Sequence, residues 1–384
     1  MASRGLALLA LAFILAPPLA AADSPPSFFG KLDVDAEQVH STQPGIGVAS
    51  TRSFVTSNAS RLGARGSKDL EDGRQIVWQI ASRLNMSGTE PGGGGGLFTL
   101  WGNSRLGIKG DFGTAFLGVW DTPFRQAYDK VDLFDGSHIA SPIGLLGSIG
   151  NSIGTATTLP SAAQGFPAAV GGAAVASTNF QRRQKSSLQY WTPVLRDVQI
   201  KLAYSVDEPD NRTAAANPAL WSAAAAYDRE PAYLAMAYER HQDMKTLAGS
   251  NVAGVDNGAR LIGALRLGAA TLSLVYERLS FATPATATTA RNAASLSATY
   301  RLEKSTLAAI YTHAGDLTRT TGTGANQFSL RYGYALGQGA ELYGQYTAIR
   351  NGPYGTYNFG DILNVATAAG ARLSGFGVGM AYAF

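Results

Sequence analysis

The stretch Asn326-Gln327-Phe328-Ser329-Leu330-Arg331-Tyr332-Gly333-Tyr334-Ala335-Leu336 alternates without a break. Successive side chains in a strand point to opposite faces, so Phe328, Leu330, Tyr332 and Tyr334 share one side, and Gln327, Ser329, Arg331 and Gly333 share the other. One face is apolar and the other is wet. After the tight turn Gly337-Gln338-Gly339 the pattern resumes, with Leu342, Gly344 and Tyr346 set against Glu341, Tyr343, Gln345 and Thr347. In Ala371 to Phe384 the bulky residues Leu373, Phe376, Val378, Met380, Tyr382 and Phe384 contrast with the small residues Gly375, Gly377, Gly379, Ala381 and Ala383. The small face is expected to look into a narrow space.

The same alternation recurs along the chain and predicts sixteen strands, near 27–38, 59–66, 74–85, 102–110, 114–120, 183–191, 198–206, 219–227, 232–240, 259–267, 270–279, 293–302, 305–313, 326–336, 340–350 and 371–384. The connections fall into two classes. Short ones run over Ser67 to Gly73, Asp111 to Gly113, Thr192 to Asp197, Asp228 to Pro231, Gly268-Ala269, Glu303-Lys304 and Gly337 to Gly339. Long ones include Val39 to Asn58, Asp121 to Arg182, His241 to Gly258 and Asn351 to Gly370. Alternating strands joined by short turns at one end and long loops at the other describe a β-barrel of an outer membrane. In lipid every backbone donor and acceptor needs an internal partner, so such a sheet must close on itself. The predicted fold is all-β: a 16-stranded antiparallel transmembrane β-barrel with long extracellular loops and short periplasmic turns. A barrel of that size leaves an aqueous channel.

Composition agrees. The 384 residues show no compositional break after residue 30, so one large domain over 23–384 is expected. With 45 glycines and no cysteine, neither a disulfide framework nor a thiolate metal site is available. The histidines His40, His138, His241 and His313 are scattered and lack ligand spacing, so no metal or cofactor is expected. At the start, Arg4, the apolar run Leu6 to Leu15, Pro17-Pro18 and Ala20-Ala21-Ala22 have the pattern of a cleaved secretory signal over 1–22. Its removal takes the formal charge from +4 to +3, a slight basicity that predicts no nucleic-acid partner. Beyond it, no apolar run approaches the roughly 20 residues of a membrane helix. Gly92 to Gly96 follows no strand-to-helix pattern and reads as a flexible outer loop, not a phosphate cradle. No nucleophile motif stands near a histidine, so no catalytic residues and no enzyme activity are predicted.

The strand parity sends charge inward. Arg61 and Arg65 face away from Leu62 and Ala64; Arg83 opposes Ile80 and Leu84; Arg105 and Lys109 oppose Leu106 and Ile108. These adjacent strands predict a positive wall. Lys31, Asp33, Asp35, Arg266, Arg301 and Arg331 add mixed charge elsewhere. The connection of about 121–182 is long for a structureless loop and reads as functional. Its first part, Thr122 to Gly136, has aromatic anchors and is predicted to fold into the lumen; its bland part, Ala162 to Ser177, is predicted to lie nearer the mouth. Asp129, Asp132 and Asp135 would then face the arginines across the narrowest section. An external acidic loop is the other placement.

The runs Ser60-Arg61-Leu62-Gly63-Ala64-Arg65-Gly66-Ser67-Lys68-Asp69-Leu70-Glu71-Asp72-Gly73 with Val77-Trp78-Gln79, Leu106-Gly107-Ile108-Lys109-Gly110-Asp111-Phe112-Gly113-Thr114, Leu117-Gly118, Thr122-Pro123-Phe124, Ser187-Leu188-Gln189-Tyr190 and the terminal Tyr382-Ala383-Phe384 resemble the general diffusion porins of Gram-negative bacteria, in their beta-proteobacterial form. The resemblance implies a homotrimer of 16-stranded barrels among outer-membrane lipids, passive diffusion of small hydrophilic solutes and ions, and an inward-folded third loop. It also implies that Phe384 is read by the outer-membrane assembly machinery. The chain departs from the family pattern at Phe28-Phe29-Gly30, at Val119, where an arginine commonly follows Leu-Gly, and in a long loop without glutamate. The expected function is a weakly anion-preferring porin. The alternative is a substrate-specific outer-membrane channel for a sugar or organic anion, held by the lumen arginines with Phe116, Trp120 and Tyr128. A surface adhesin or purely structural barrel is a third reading.

Overall fold

The computed structural model describes residues 25–43, 49–87, 97–99, 102–148, 156–158, 174–176, 179–206, 216–247, 250–282, 288–359 and 368–384. The signal-like segment 1–22, the glycine run 92–96 and most of 162–177 lie outside them. Sixteen strands form one closed antiparallel sheet. They are β1 (Ser27–Ser41), β2 (Thr51–Ser57 continued by Arg61–Asp69), β3 (Gln75–Leu84), β4 (Phe98–Thr99 continued by Ser104–Gly110), β5 (Gly113–Asp121), β6 (Arg183–Trp191), β7 (Val198–Val206) and β8 (Ala219–Arg229). Then come β9 (Ala232–Gln242), β10 (Val255–Leu267), β11 (Ala270–Ala282), β12 (Thr288–Leu302), β13 (Ser305–Ala314), β14 (Ala325–Gly337), β15 (Ala340–Asn351) and β16 (Arg372–Ala383). Each strand pairs with its sequence neighbours, and β16 closes on β1 from Lys31↔Ala383 to Ser41↔Leu373. Closure removes the free edge that hydrocarbon would leave unpaired.

The second strand differs from its predicted bounds. It begins at Thr51 rather than 59 and is broken at Asn58-Ala59-Ser60. Val34 pairs with Ser57 and Lys31 with Arg61, so three residues of β2 oppose two of β1, a bulge. Ala59 sits there at φ 52, a conformation that costs a residue with a Cβ. The bulge turns Asn58 inward, where its Nδ2 donates to the Tyr343 hydroxyl at 3.0 Å and its Oδ1 accepts the His138 backbone N–H at 3.1 Å. A local fault in the ladder thus becomes a docking point for the long loop.

The outer surface is apolar. Leu106, Leu117, Leu188, Ile200, Leu234, Leu261, Leu274, Leu296, Leu330 and Val378 are all exposed. A 13-residue strand such as β11 is about 43 Å long at about 3.3 Å per residue, and tilted by about 40° it rises about 33 Å, enough to carry an apolar band of about 25 Å. Outward tyrosines at 238, 276, 311 and 346 punctuate that surface. No helix among the described residues is long and apolar enough to cross a membrane. The crossing elements are the strands.

The core lies inside the barrel, between the wall and the loop after β5. That loop opens with α1 (Pro123–Tyr128), whose Thr122 hydroxyl accepts from the Arg125 N–H at 3.5 Å, with Pro123 placed where a missing N–H costs nothing. Phe124, Tyr128, Val131, Ile139, Leu145, Leu146 and Phe180 pack against inward Ala224, Ala235, Ala237, Ile262 and Ala264. Alanines on the inner faces of β8 to β10 leave room for the helix. Opposite, a Cβ on Gly375 would stand 3.3 Å from Ile139 of the loop, and Cβ atoms on Gly377 and Gly379 would crowd Asp35, Glu37, Tyr343 and Gln345 of the adjoining strands, so the glycine face of β16 is small because loop and wall side chains fill the space before it. The segment after β5 is therefore inside the lumen, not an external acidic loop.

Candidate functional site

Arg61 and Arg83 are direct cross-strand partners on β2 and β3. Like charges set opposite each other repel, so the pair demands a counter-charge. The loop supplies it. Asp135 Oδ2 accepts from Arg61 Nη1 at 3.1 Å and lies 4.0 Å from Lys31 Nζ, while Lys31 donates to the Asp135 carbonyl at 3.0 Å. Around this contact a cavity of about 340 Å³ is bounded by Arg61, Arg83, Arg125 and Arg183 on one side of the charge balance and Asp121, Asp129, Asp132 and Asp135 on the other. Asp121 is held between Arg183, at 3.1 Å, and Arg125, at 3.4 Å.

The loop carboxylates are not equivalent. Enclosure opposes ionisation of Asp135, but the Arg61 guanidinium and the Lys31 ammonium outweigh it and hold the group down at about 2. Asp132 is pushed up to about 7, by enclosure first and then by the neighbouring Asp135 charge. Asp129 is pushed up to about 6 by enclosure and by Asp121. Of the three loop carboxylates facing the arginines, one is therefore firmly charged near neutral pH and two titrate. His138, at the loop tip, is pushed down to about 3 by burial and by Arg83, which keeps it neutral.

Three of the residues picked from sequence stand apart from this cluster. Arg65 pairs with Gln79 one level below Arg61, and its guanidinium lies 5.3 Å from the Phe29 ring centre. Arg105, the partner of Gln79 on β4, sits 4.8, 4.4 and 4.8 Å from the rings of Phe116, Trp120 and Trp191. Lys201 joins it, 4.6 Å from the Trp191 ring and donating to Gln126 Oε1 at 2.9 Å. Lys109 lies near the short-turn end, away from the loop. Tyr128, expected as a lumen contact, is 2% exposed and packs beneath α1 with the Arg260 guanidinium 5.5 Å from its ring. It is a core residue, because the helix turns that face to the wall.

Charges that strand parity also sends inward are hidden by the loop. Asp33, Asp35 and Glu37 on β1 are at most 2% exposed. Asp33 accepts from the Tyr343 hydroxyl at 2.6 Å, Asp35 from the Thr56 hydroxyl and from Gln345 at 2.8 Å, and Gln345 in turn accepts from Ser137 of the loop at 3.1 Å. Across the barrel, Glu277 accepts from Arg260 at 2.6 Å, from Arg291 at 3.3 Å and from the Gly147 N–H at 2.7 Å, and Arg291 also donates to the Leu145 and Ser148 carbonyls. Phe124 N–H to Ser222, Tyr233 to the Ala127 carbonyl and Gln327 to the Ala140 and Ser141 carbonyls complete the attachment. Sequence reasoning missed Arg125, Arg183, Asp121 and this Arg260–Glu277–Arg291 group. Parity placed the strand residues inward, but only the path of the loop decides which ones meet water.

A Gram-negative porin family profile matches residues 6–354. The chain is 33% identical to major outer membrane protein P.IA of Neisseria meningitidis over 97 residues, which is 24% of this chain and 23% of that protein. It is 28% identical to major outer membrane protein P.IB of Neisseria gonorrhoeae over 133 residues, 33% of this chain and 35% of that one. The aligned stretch thus spans about a quarter to a third of the length of these relatives. Among solved structures, an anion-selective porin from Comamonas acidovorans superposes with a TM-score of 0.74 at 20% identity, covering 94% of this chain and all of that one. OmpT of Vibrio cholerae, solved in a trimer form, superposes with a TM-score of 0.63 at 16% identity, with 94% and 100% covered. From a matched profile over most of its length and a closed 16-stranded barrel with an apolar exterior, the chain belongs to the Gram-negative porin family, β-barrels of the outer membrane.

Proposed function

We propose that the chain forms a water-filled channel for passive diffusion of small hydrophilic solutes and ions, with a weak preference for anions. Porin membership sets aside the enzymatic readings. The observation that carries the preference is the imbalance at the narrowing: four guanidinium groups, of Arg61, Arg83, Arg125 and Arg183, stand against four carboxyls of which Asp129 and Asp132 are part-protonated near neutral pH. The other acidic cluster, Asp33-Asp35-Glu37, is covered and screened from the passing ion by the loop. Below the narrowing, Arg65, Arg105, Lys201 and Lys109 continue the positive wall. The similar barrel from Comamonas acidovorans is an anion-selective porin, which supports the same sign.

The mature chain on this reading begins near residue 23, after removal of 1–22, and works as a homotrimer whose assembly depends on Phe384. The short strands support a partner on one side. The continuous runs of β4 to β7 are 7 to 9 residues long, and at about 40° tilt they rise only about 18–23 Å, less than the apolar band of about 25 Å. Their outward leucines are better covered by another subunit than by lipid. The Arg105 cage of Phe116, Trp120 and Trp191 favours one second reading, a channel selective for organic anions. Planar-bilayer recordings of the refolded mature protein decide. A reversal potential of anionic sign in a salt gradient, with conductance steps in threes, is expected; a cationic sign overturns the preference, and saturable block by organic acids moves the assignment to the selective channel.

A further inference from the structure

In β9 to β16 the acidic residues Glu239, Asp256, Glu277 and Glu341 all point into the barrel. Several basic residues are placed differently. Arg240, Arg278, Arg350 and Arg372 occupy outward positions, and each lies close to the long-loop end of its strand. Among the described residues no carboxylate shares the outer face of these strands to balance them. The concentration is greatest along one line of cross-strand partners over four adjacent strands, His313↔Asn326, Asn326↔Arg350 and Arg350↔Arg372.

Two features of that line call for an anion. Arg350 and Arg372 are direct partners, both exposed, and the described residues give neither guanidinium a carboxylate or hydrogen bond; such a like-charged pair is destabilising by itself. Beside them, the Asn326 Oδ1 is already engaged, accepting from the Tyr311 hydroxyl at 2.7 Å and lying 2.8 Å from His313 Nδ1. Its amide N–H groups are therefore the part left to face Arg350. The two guanidinium groups and this amide nitrogen are all donors. Below it, toward the membrane, Tyr346 and Phe376 are cross-strand partners and both are exposed on the same outer face. Tyr346 lies four residues, about 13 Å, along the strand from Arg350.

We propose that Asn326, Arg350 and Arg372 bind the phosphate of an outer-leaflet lipid whose acyl chains lie on the apolar surface of Tyr346 and Phe376. Charge-assisted bonds from two guanidinium groups suit phosphate oxygens. A free phosphate would use only the basic line, whereas an amphiphile uses both surfaces, which is why the site is assigned to a lipid. The proposal rests on the outer-membrane orientation with the long loops outside, and it is independent of ion preference through the pore.

Native mass spectrometry of the full mature chain in detergent tests it, with diphosphoryl lipid A as the probe and its dephosphorylated form as the control. The intact protein should retain the phosphorylated probe at least about tenfold better. Arg350→Gln/Arg372→Gln should lower retention to the level of the control, and Arg350→Lys/Arg372→Lys should keep part of it, with channel conductance and heat-resistant mobility on gels unchanged in both. Equal retention of the two probes by the unmodified protein overturns the proposal without need of any variant. Unchanged retention by the glutamine variant also overturns it, as does loss of subunit association with lipid retention intact, which would make the arginines a contact between copies. If the barrel conducts but its long loops prove accessible only from the periplasmic side, it is the orientation that has failed.

Discussion

Two groups of charge built alike from guanidinium and carboxylate have opposite exposure in this barrel. At the narrowing, the Arg61 and Asp135 side chains are 41% and 47% exposed and pair directly at 3.1 Å in contact with the open lumen. In the Arg260–Glu277–Arg291 group the side chains are wholly buried. On the proposed reading the first group sets what a passing ion feels; the second holds the loop that carries half of the first. Exposure decides the role. A screened pair contributes little to stability and much to the local field, while a buried pair left with one partner missing carries an uncompensated charge.

The largest expected effect breaks the buried group. Glu277→Ala leaves Arg260 and Arg291 without their shared carboxylate and removes the acceptor for the Gly147 N–H. A loss of about 3–5 kcal/mol in loop attachment is expected, seen as larger, noisier conductance and as protease sensitivity near residue 147 with the barrel still folded. Conductance and proteolysis like the parent would mean that the loop is held by packing alone.

Next in size is the exposed group. Replacing Arg61, Arg65, Arg83 and Arg105 by glutamine should shift permeability toward cations. A unit charge about 4 Å from a passing ion in water is worth about 1 kcal/mol, so each residue at the narrowing is worth a few-fold in the anion-to-cation ratio and Arg65 and Arg105 less. Reversal potentials at low and high salt would read this, and an unchanged ratio would sink the pore-lining assignment. A smaller effect should follow pH. Asp132 and Asp129 protonate as pH falls through about 7 and about 6, while the guanidinium groups remain charged, so anion preference should strengthen from about pH 8 to about pH 5. Because these carboxyls are raised above their unfolded values, their stabilising contribution is present at low pH and is lost as pH rises through about 7 and about 6. Asp129→Asn/Asp132→Asn should flatten the response, and a variant that keeps the full pH dependence would point to other groups. Smallest of all, Gly375→Ala places a methyl 3.3 Å from Ile139; a slight fall in single-channel conductance with little change in melting is expected.

The contrast also explains what could be read from the chain itself. Alternation in Asn326–Leu336 or Arg372–Phe384 is a local pattern imposed by two different solvents, so the strands were legible almost to their ends. The break at Asn58-Ala59-Ser60 was not, because its cause is remote: Tyr343 and His138 engage Asn58 from far along the sequence. Parity likewise sent Asp33, Asp35, Arg61 and Arg83 inward alike. Nothing local to those strands distinguishes residues that meet water from those covered by Ser137 to Ala140. The aspartates at 129, 132 and 135 could be picked out as a group, but Arg125 and Arg183 escaped notice because their partner, Asp121, lies at a strand end and meets them only once the loop turns inward.

The attachments of the inward loop are spread over strands on both sides of the lumen, from Ser222 and Tyr233 through Glu277 and Arg291 to Gln327, Gln345 and Asn58. To swing aside, the loop would have to release all of them together, several inside a space that excludes water. On the proposed reading the aperture is therefore a fixed sieve, with no shut position to visit between solutes. A cell relying on such a channel would adjust uptake by how many copies it makes rather than by how long each one stays open.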